Sequence, residues 1–148
     1  MRQHGFTLIE LLVVLVIASL VLVVVVPFGG SHRDRAELAR SVDEMASALR
    51  MTRSRAIRND RAEALLVDTG QARYRAAGGA GLGGFPTGTH LVLTTTEDEK
   101  QDDALGAIRF FPDGSSTGGG ITIEKGTMRY DVLVDWLTGG VSVRGAKS

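Results

Sequence analysis

The sequence predicts an α+β fold, with a long N-terminal helix, first membrane-spanning and then amphipathic, packed on an antiparallel β-sheet domain. Three observations predict it. An apolar run fills residues 6 to 26, and a stripe of apolar residues at helical spacing follows from Leu38 to Ala56. From Ala64 onward the period shifts to two, in short segments separated by glycine-rich or acidic turns.

The first element is read from Phe6 to Val26, 21 residues among which Glu10 is the one charged side chain. A helix needs about 20 mostly apolar residues to cross a hydrocarbon core of about 30 Å. The β-branched run Val21 to Val26 makes a poor helix in water, but in lipid every backbone amide must pair within its own segment, so helix is the workable state. A cleaved secretory signal has an apolar region of only about 7–15 residues and a small-residue cleavage site. This run is longer, and Pro27-Phe28-Gly29-Gly30 is no such site. Arg2 precedes the span, so the positive-inside rule places the rest of the chain outside the cytoplasm. A carboxylate inside an apolar span costs several kcal/mol unless paired, which makes Glu10 a functional candidate whose partner must be found.

After Pro27 and a break at Gly29-Gly30-Ser31, a second helical stretch runs to Arg58. Leu38, Val42, Met45, Leu49, Thr52 and Ala56 recur at intervals of three and four and define one face. Arg35, Glu37, Arg40, Asp43, Glu44, Arg50, Arg53, Arg55 and Arg58 occupy the others, a solvated face that can also meet a neighbouring subunit. Asp34 and Glu37 near its start and the arginines near its end complement the helix dipole.

Seven strands are expected: Ala64–Asp68, Ala72–Ala76, His90–Thr95, Ala107–Phe111, Ile121–Glu124, Arg129–Asp135 and Val141–Arg144. Under period two, Tyr130, Val132, Val134 and Trp136 share a face, as do Ile121 and Ile123. One helix followed by successive strands points to an antiparallel meander on the amphipathic half of the helix. Residues 78 to 88, rich in glycine, and the acidic stretch 97 to 103 read as loops.

Composition narrows function. The chain has 17 Lys and Arg against 17 Asp and Glu, and no cysteine, so thiol catalysis, disulfides and thiolate metal sites are excluded. Phe28 to Arg58 carries seven arginines against four carboxylates, and the chain from Asn59 onward nine cations against twelve, a net −3 that speaks against nucleic-acid binding. Pro112-Asp113-Gly114 between two strands is a turn signature, with proline setting φ and glycine taking the left-handed position. Ser115 and Ser116 beside it lack a nearby histidine to activate them; the three histidines are His4, His32 and His90. Glu97, Asp98, Glu99, Asp102 and Asp103 are carboxylates of the kind calcium takes, but they lack the alternating ligand spacing and central glycine of an EF-hand. The stretch 78 to 88 fits neither phosphate-binding glycine motif. Neither an enzyme nor a cofactor is expected.

Gly5-Phe6-Thr7-Leu8-Ile9-Glu10-Leu11-Leu12, preceded by a short basic leader, resembles the processing and methylation site of type IV pilins and type II secretion pseudopilins. The resemblance implies a type IV pilin-like fold, a leader at residues 1–5 cut between Gly5 and Phe6 by a prepilin peptidase, and methylation of the new Phe6 amine. It implies that residues 6–27 form the transmembrane and filament-core half of the helix, kinked at Pro27, with residues 28–58 as its amphipathic half and 59–148 as a periplasmic β-rich domain. Arg109 to Gly119 with Ile121-Thr122-Ile123, Val134 to Val141, and Leu49 to Ile57 resemble the H-type minor pseudopilins in particular. That resemblance implies a structural subunit of the periplasmic pseudopilus, near its tip, in a bacterial system that exports folded proteins. Its partners would be other major and minor pseudopilins, the prepilin peptidase, the inner-membrane assembly platform, and the membrane through one helix. Pilus minor pilins of the FimT kind share much of this pattern, so a pilus or competence subunit, with DNA as a ligand, is the alternative.

Overall fold

The computed structural model describes residues 8–25, 28–77, 82–100, 102 and 104–147, with side chains from 8–19 and 33 onward, those of 146 and 147 excepted. The chain divides into two compact units, Met1–Ala36 and Glu37–Ser148. The first contains helix α1, Leu8–Val25; helix α2, Phe28–Asn59, begins in the first unit and supplies its later turns to the second.

α1 is apolar in every direction, with Glu10 in its first turn. Eighteen residues rise about 27 Å at about 1.5 Å each, just short of a hydrocarbon core. Among the described residues no helix is long and apolar enough to cross a membrane. Phe6, Thr7 and Val26, which would complete the expected span, lie outside them. So does Pro27, the expected kink. The break expected at Gly29-Gly30-Ser31 is not there: α2 begins at Phe28 and includes all three residues. Glycine inside a helix costs only about 1 kcal/mol relative to alanine, a cost the rest of a 32-residue helix can carry.

In the second unit the predicted stripe is the buried one: Leu38, Val42, Met45, Leu49, Thr52 and Ala56 are each at most 2% exposed. Thr52 sits among apolar neighbours because its hydroxyl donates to the Ala48 carbonyl one turn back, 2.8 Å away. Asp60 ends the helix in the left-handed region, φ 48°, and the Arg61 amide turns back to the Ala56 carbonyl.

Eight strands follow: β1 Glu63–Asp68, β2 Arg73–Ala76, β3 Leu82–Gly84, β4 His90–Thr94, β5 Leu105–Phe110, β6 Gly119–Lys125, β7 Met128–Val134 and β8 Val141–Lys147. They do not form the single expected meander. They make two four-stranded antiparallel sheets, ordered β3-β2-β1-β5 and β4-β6-β7-β8. The crossover lies at β4 and β5: β5 joins β1, with Leu65 opposite Ile108, while β4 joins β6, with Leu91 opposite Ile123. The acidic segment between them gives the chain the length to change sheets. It is tied down by a 3-10 turn at Glu97–Glu99, by Arg109 gripping Glu99 at 2.6 and 3.2 Å, and by the Asp102 carboxylate accepting from the Ala104 and Leu105 amides.

Both sheets bury their inner faces with α2 in one core. Leu65, Val67, Tyr74, Ile108 and Phe110 come from the first sheet, and Leu91, Ile121, Ile123, Val132 and Val134 from the second. β3 falls inside the stretch expected to be loop. It has no apolar alternation to betray it, and it forms because Gly83 lies flat on the Tyr74 ring, where any Cβ would overlap the phenol.

Candidate functional site

Glu10 is exposed on α1, as are Leu8, Ile9, Leu11 and Leu12 around it. Leu8 is 83% exposed and Leu15, almost two turns on, 66%. An uninterrupted apolar surface carrying one carboxylate is suited to lipid or to other apolar helices, and to a cation that meets the carboxylate there. Gly5 and Phe6, the expected cleavage pair, lie outside the described residues.

In the second unit, the residues expected to form a solvated face on α2 divide into two flanks. At about 100° per residue, positions 50, 53 and 57 lie on one side of the buried stripe and 44, 48, 51 and 55 on the other. The first flank is fixed to the strands. Arg50 donates to the Val141 carbonyl at 3.2 Å and Arg53 to the Gly114 carbonyl at 2.9 Å. Gly139 closes against the same Arg53 side chain and the Gly114 carbonyl, with φ +63°. Arginine planarity and reach suit this use, in which a cation also neutralises carbonyls at the turn ends.

The Pro112-Asp113-Gly114 segment is the expected turn. Gly114 has φ +85° and its amide donates to the Phe111 carbonyl at 2.9 Å. Asp113 accepts from the Ser115 hydroxyl at 2.6 Å and the Ser115 amide at 2.9 Å, and these bonds hold its carboxyl below the usual carboxylate range. Ser115 therefore spends its hydroxyl on the turn.

The β7–β8 turn departs from expectation. The strand stops at Val134, and Trp136, expected to share a face with Val132 and Val134, stands in the turn at 65% exposure beside Leu137 at 63%. The Asp135 carboxylate, accepting from the Thr138 amide and hydroxyl at 2.8 Å each, bends the chain there and is itself held ionised to lower pH by those bonds. The Asp135 amide donates to the Gly140 carbonyl, the Gly139 amide to the Asp135 carbonyl, and the Trp136 carbonyl accepts from the Ser116 amide at 2.8 Å. The turn is rigid although its largest side chains face solvent. Asp135 followed by Thr138-Gly139-Gly140 was the available sequence signal for this turn.

On the second flank of α2, a groove of about 330 Å³ runs between the helix and the β2–β3 edge. Ala48, Met51, Tyr74 and Leu82 line it, with Glu44 and Arg55 at its ends. Met51 and Leu82 are 52% and 72% exposed.

Within the described part of the acidic stretch, Glu97 pairs with Lys100, Glu99 with Arg109, and Asp102 with backbone amides. Among the described residues no group of three or more His, Cys, Asp or Glu side chains converges on a metal position. His90 opens β4 and is exposed.

Comparisons with known proteins agree with this arrangement. Residues 1–26 match the prokaryotic N-terminal methylation motif, and residues 41–139 match the family described as type II transport protein GspH. The type II secretion system protein H of Xanthomonas campestris pv. campestris is 34% identical over 140 residues, 95% of this chain and 82% of that protein. The fold is that of the minor pseudopilin EpsH from the type 2 secretion system of Vibrio cholerae, TM-score 0.58 at 14% identity over 74% of this chain and 97% of that one. It is equally that of the type IV minor pilin FimU of Pseudomonas aeruginosa, TM-score 0.57 at 14% identity over 77% and 96%. The pilin-like fold and the H-type resemblance are thus borne out: with a methylation motif at its start and a matched domain reaching to residue 139, the chain belongs to the type II transport protein GspH family.

Proposed function

We propose that the protein is a minor pseudopilin of a type II secretion system, a structural subunit that assembles with other pseudopilins in the periplasmic pseudopilus and so helps export folded proteins. The observation that carries this is the co-occurrence in one chain of the methylation motif at 1–26 and the GspH match at 41–139. In this reading a prepilin peptidase removes residues 1–5, Phe6 becomes the methylated N-terminus, and residues 6–27 wait as a single span of the inner membrane with the domain in the periplasm. Pro27 kinks the helix where it leaves the bilayer. The inner-membrane assembly platform then draws the subunit into the filament, close to its tip.

Glu10 supplies the driving force. The Phe6 amine of a neighbouring subunit meets the Glu10 carboxylate in a medium where either charge alone costs several kcal/mol, so pairing favours assembly and fixes the axial register. Only a subunit that has been cleaved offers that amine. Glu10→Ala should leave membrane insertion and leader cleavage intact while cutting incorporation into sheared filaments, and secretion in a complemented deletion strain, more than tenfold. A Glu10→Ala chain that assembles and secretes like the parent would overturn the pairing.

The pilus or competence alternative, with DNA as ligand, needs a basic surface. The candidates for it are Arg144 and Lys147 with the helix arginines, of which Arg50 and Arg53 are held on carbonyls of the strand and turn beside them, while the chain from Asn59 onward carries a net −3. That distribution favours the secretion reading.

A further inference from the structure

The outer face of the second sheet carries a cleft of about 490 Å³ over β6, β7 and β8. Val132 and Val134 are buried in the core, so alternation turns Asp131 and Leu133 outward. The register then sets Ser142 beside Leu133 and Arg144 beside Asp131. Trp136 bounds the cleft at the turn, Leu133 forms its floor, and Gly118 and Gly119 leave one wall without side chains. Ser142 and Arg144 line the opposite wall, about 7 Å apart along β8.

We infer that this cleft binds a neutral glycan, with one pyranose ring stacked on Trp136 and its hydroxyl or N-acetyl groups on Ser142, Arg144 and Asp135. A source in the cell wall rests on the periplasmic placement proposed above; the site itself is independent of that reading.

The indole is held out in solvent by a turn that the Asp135 and Ser116 hydrogen bonds fix in advance, so stacking on it orders little that is mobile. Its negative π face suits the weakly positive C–H groups of a pyranose ring. Charge then selects among polar ligands. Asp135 and Arg144 are the charged side chains of the lining, one of each sign, so the cleft favours neither anions nor cations. Asp135 takes the Thr138 amide and hydroxyl on one oxygen, and Arg144 acts on Asp131 across the strand pair. Arg129, farther along the same face, is occupied by Glu124 and Asp131.

What the cleft offers is hydrogen-bonding capacity without net charge: the Arg144 donors, the second Asp135 oxygen and the Ser142 hydroxyl. A ring with an apolar face and a rim of hydroxyls matches that set. An extended peptide is taken up by main-chain pairing along a sheet edge, whereas this cleft opens on the face of the sheet.

Trp136 is the chain's one tryptophan, so its fluorescence reads this cleft directly. The full-length chain, in a zwitterionic detergent without sugar head groups, is titrated with chitotetraose, a neutral tetramer of N-acetylglucosamine. A saturable blue shift is expected, with a Kd of about 1 mM, the strength of one stacked ring in an open cleft. Arg144→Ala retains the reporter and should weaken binding about tenfold. Co-sedimentation with purified cell-wall sacculi reaches variants without the indole. Trp136→Ala, which keeps the Cβ that packs on Gly118, should lose about tenfold in retention, and Trp136→Phe should keep most of it. No emission change at saturating sugar, an unchanged Kd in Arg144→Ala, or retention indifferent to Trp136→Ala each sinks the inference. So does an uncharged tetrapeptide that shifts the emission as far as the sugar does, which would make the cleft a peptide site. Binding is read on the purified chain and the pseudopilin role on secretion by a complemented deletion strain, so either can fail without the other.

Discussion

Leu12 and Leu49 are the same residue in helices of the same chain, and they fare oppositely. Leu12 is 55% exposed in α1, while Leu49 is fully buried in α2. The difference is pattern. α1 is apolar on every side, so no single face can be buried by a sheet and the remainder left to water. α2 confines its apolar residues to one stripe, and two sheets cover that stripe. A helix of the first kind needs an apolar surrounding, from lipid or from other helices. A helix of the second kind completes a domain. Under the proposed function, fold and assembly use separate hydrophobic surfaces, so either can be altered without the other.

The largest expected effect breaks that separation if it is wrong. Leu49→Ala should destabilise the domain by about 2–5 kcal/mol, the cost of a cavity where α2 meets both sheets. Leu12→Ala should shift the same unfolding transition by less than about 0.5 kcal/mol. Urea unfolding of the full chain in detergent, followed by circular dichroism, measures both. Comparable losses would mean that α1 contributes to the domain core.

The α2 stripe was legible in the sequence because a 3.6-residue period over nineteen positions leaves one possible buried face, and all six residues assigned to it are buried. The seven expected strands were legible as segments for the same reason. Their pairing was not. Alternation reports which side of a strand is buried, and gives no sign that β5 leaves β4 for β1, a choice set by the ion pair and turns of the acidic segment. β3 escaped notice because Leu82-Gly83-Gly84 packs by absence of a side chain. Trp136 was misplaced because period two was carried one pair too far: the Asp135–Thr138 hydrogen bonds end the strand first, and a hydrogen-bonded turn outweighs the alternation around it. Of the expected site, Glu10 stands out on composition alone, and under the proposed function its partner is the Phe6 amine of a neighbouring subunit, which no intrachain pattern can reveal.

An intermediate effect tests whether the Arg50–Arg53 flank of α2 is held by the strands as firmly as its apolar stripe. Gly139 has φ +63° and lies against the Gly114 carbonyl and the Arg53 side chain, while Gly88 has φ +80° with open space around it. Gly139→Ala should cost about 2–3 kcal/mol, from the left-handed backbone and the displaced Arg53 hydrogen bond together. Gly88→Ala should cost only the backbone share, about 1–2 kcal/mol. If the two variants unfold at the same denaturant concentration, the helix flank is not locked by the turn, and only the apolar stripe holds α2 in place.

The smallest effect concerns charge on the sheet most distant in sequence from α1. Asp131 on β7 accepts from the Thr122 hydroxyl at 2.7 Å across the β6–β7 pair, and Arg129 adds a weaker contact at 3.4 Å. The Thr122 bond first, and Arg129 second, hold the Asp131 carboxyl below the usual aspartate range. The folded state therefore prefers the ionised form. Its contribution is complete above the unfolded value of about 4 and disappears as pH falls through the lower folded value. Asp131→Asn removes the charge but leaves an amide oxygen for Thr122, so the variant should lose about 1 kcal/mol at neutral pH. Below about pH 4 the parent should lose stability more steeply than the variant, and the two should converge. Equal slopes in acid would show that Asp131 is solvated in the folded chain as it is in the unfolded one. They would also confine the domain's stability to the apolar stripe and the turns that brace it.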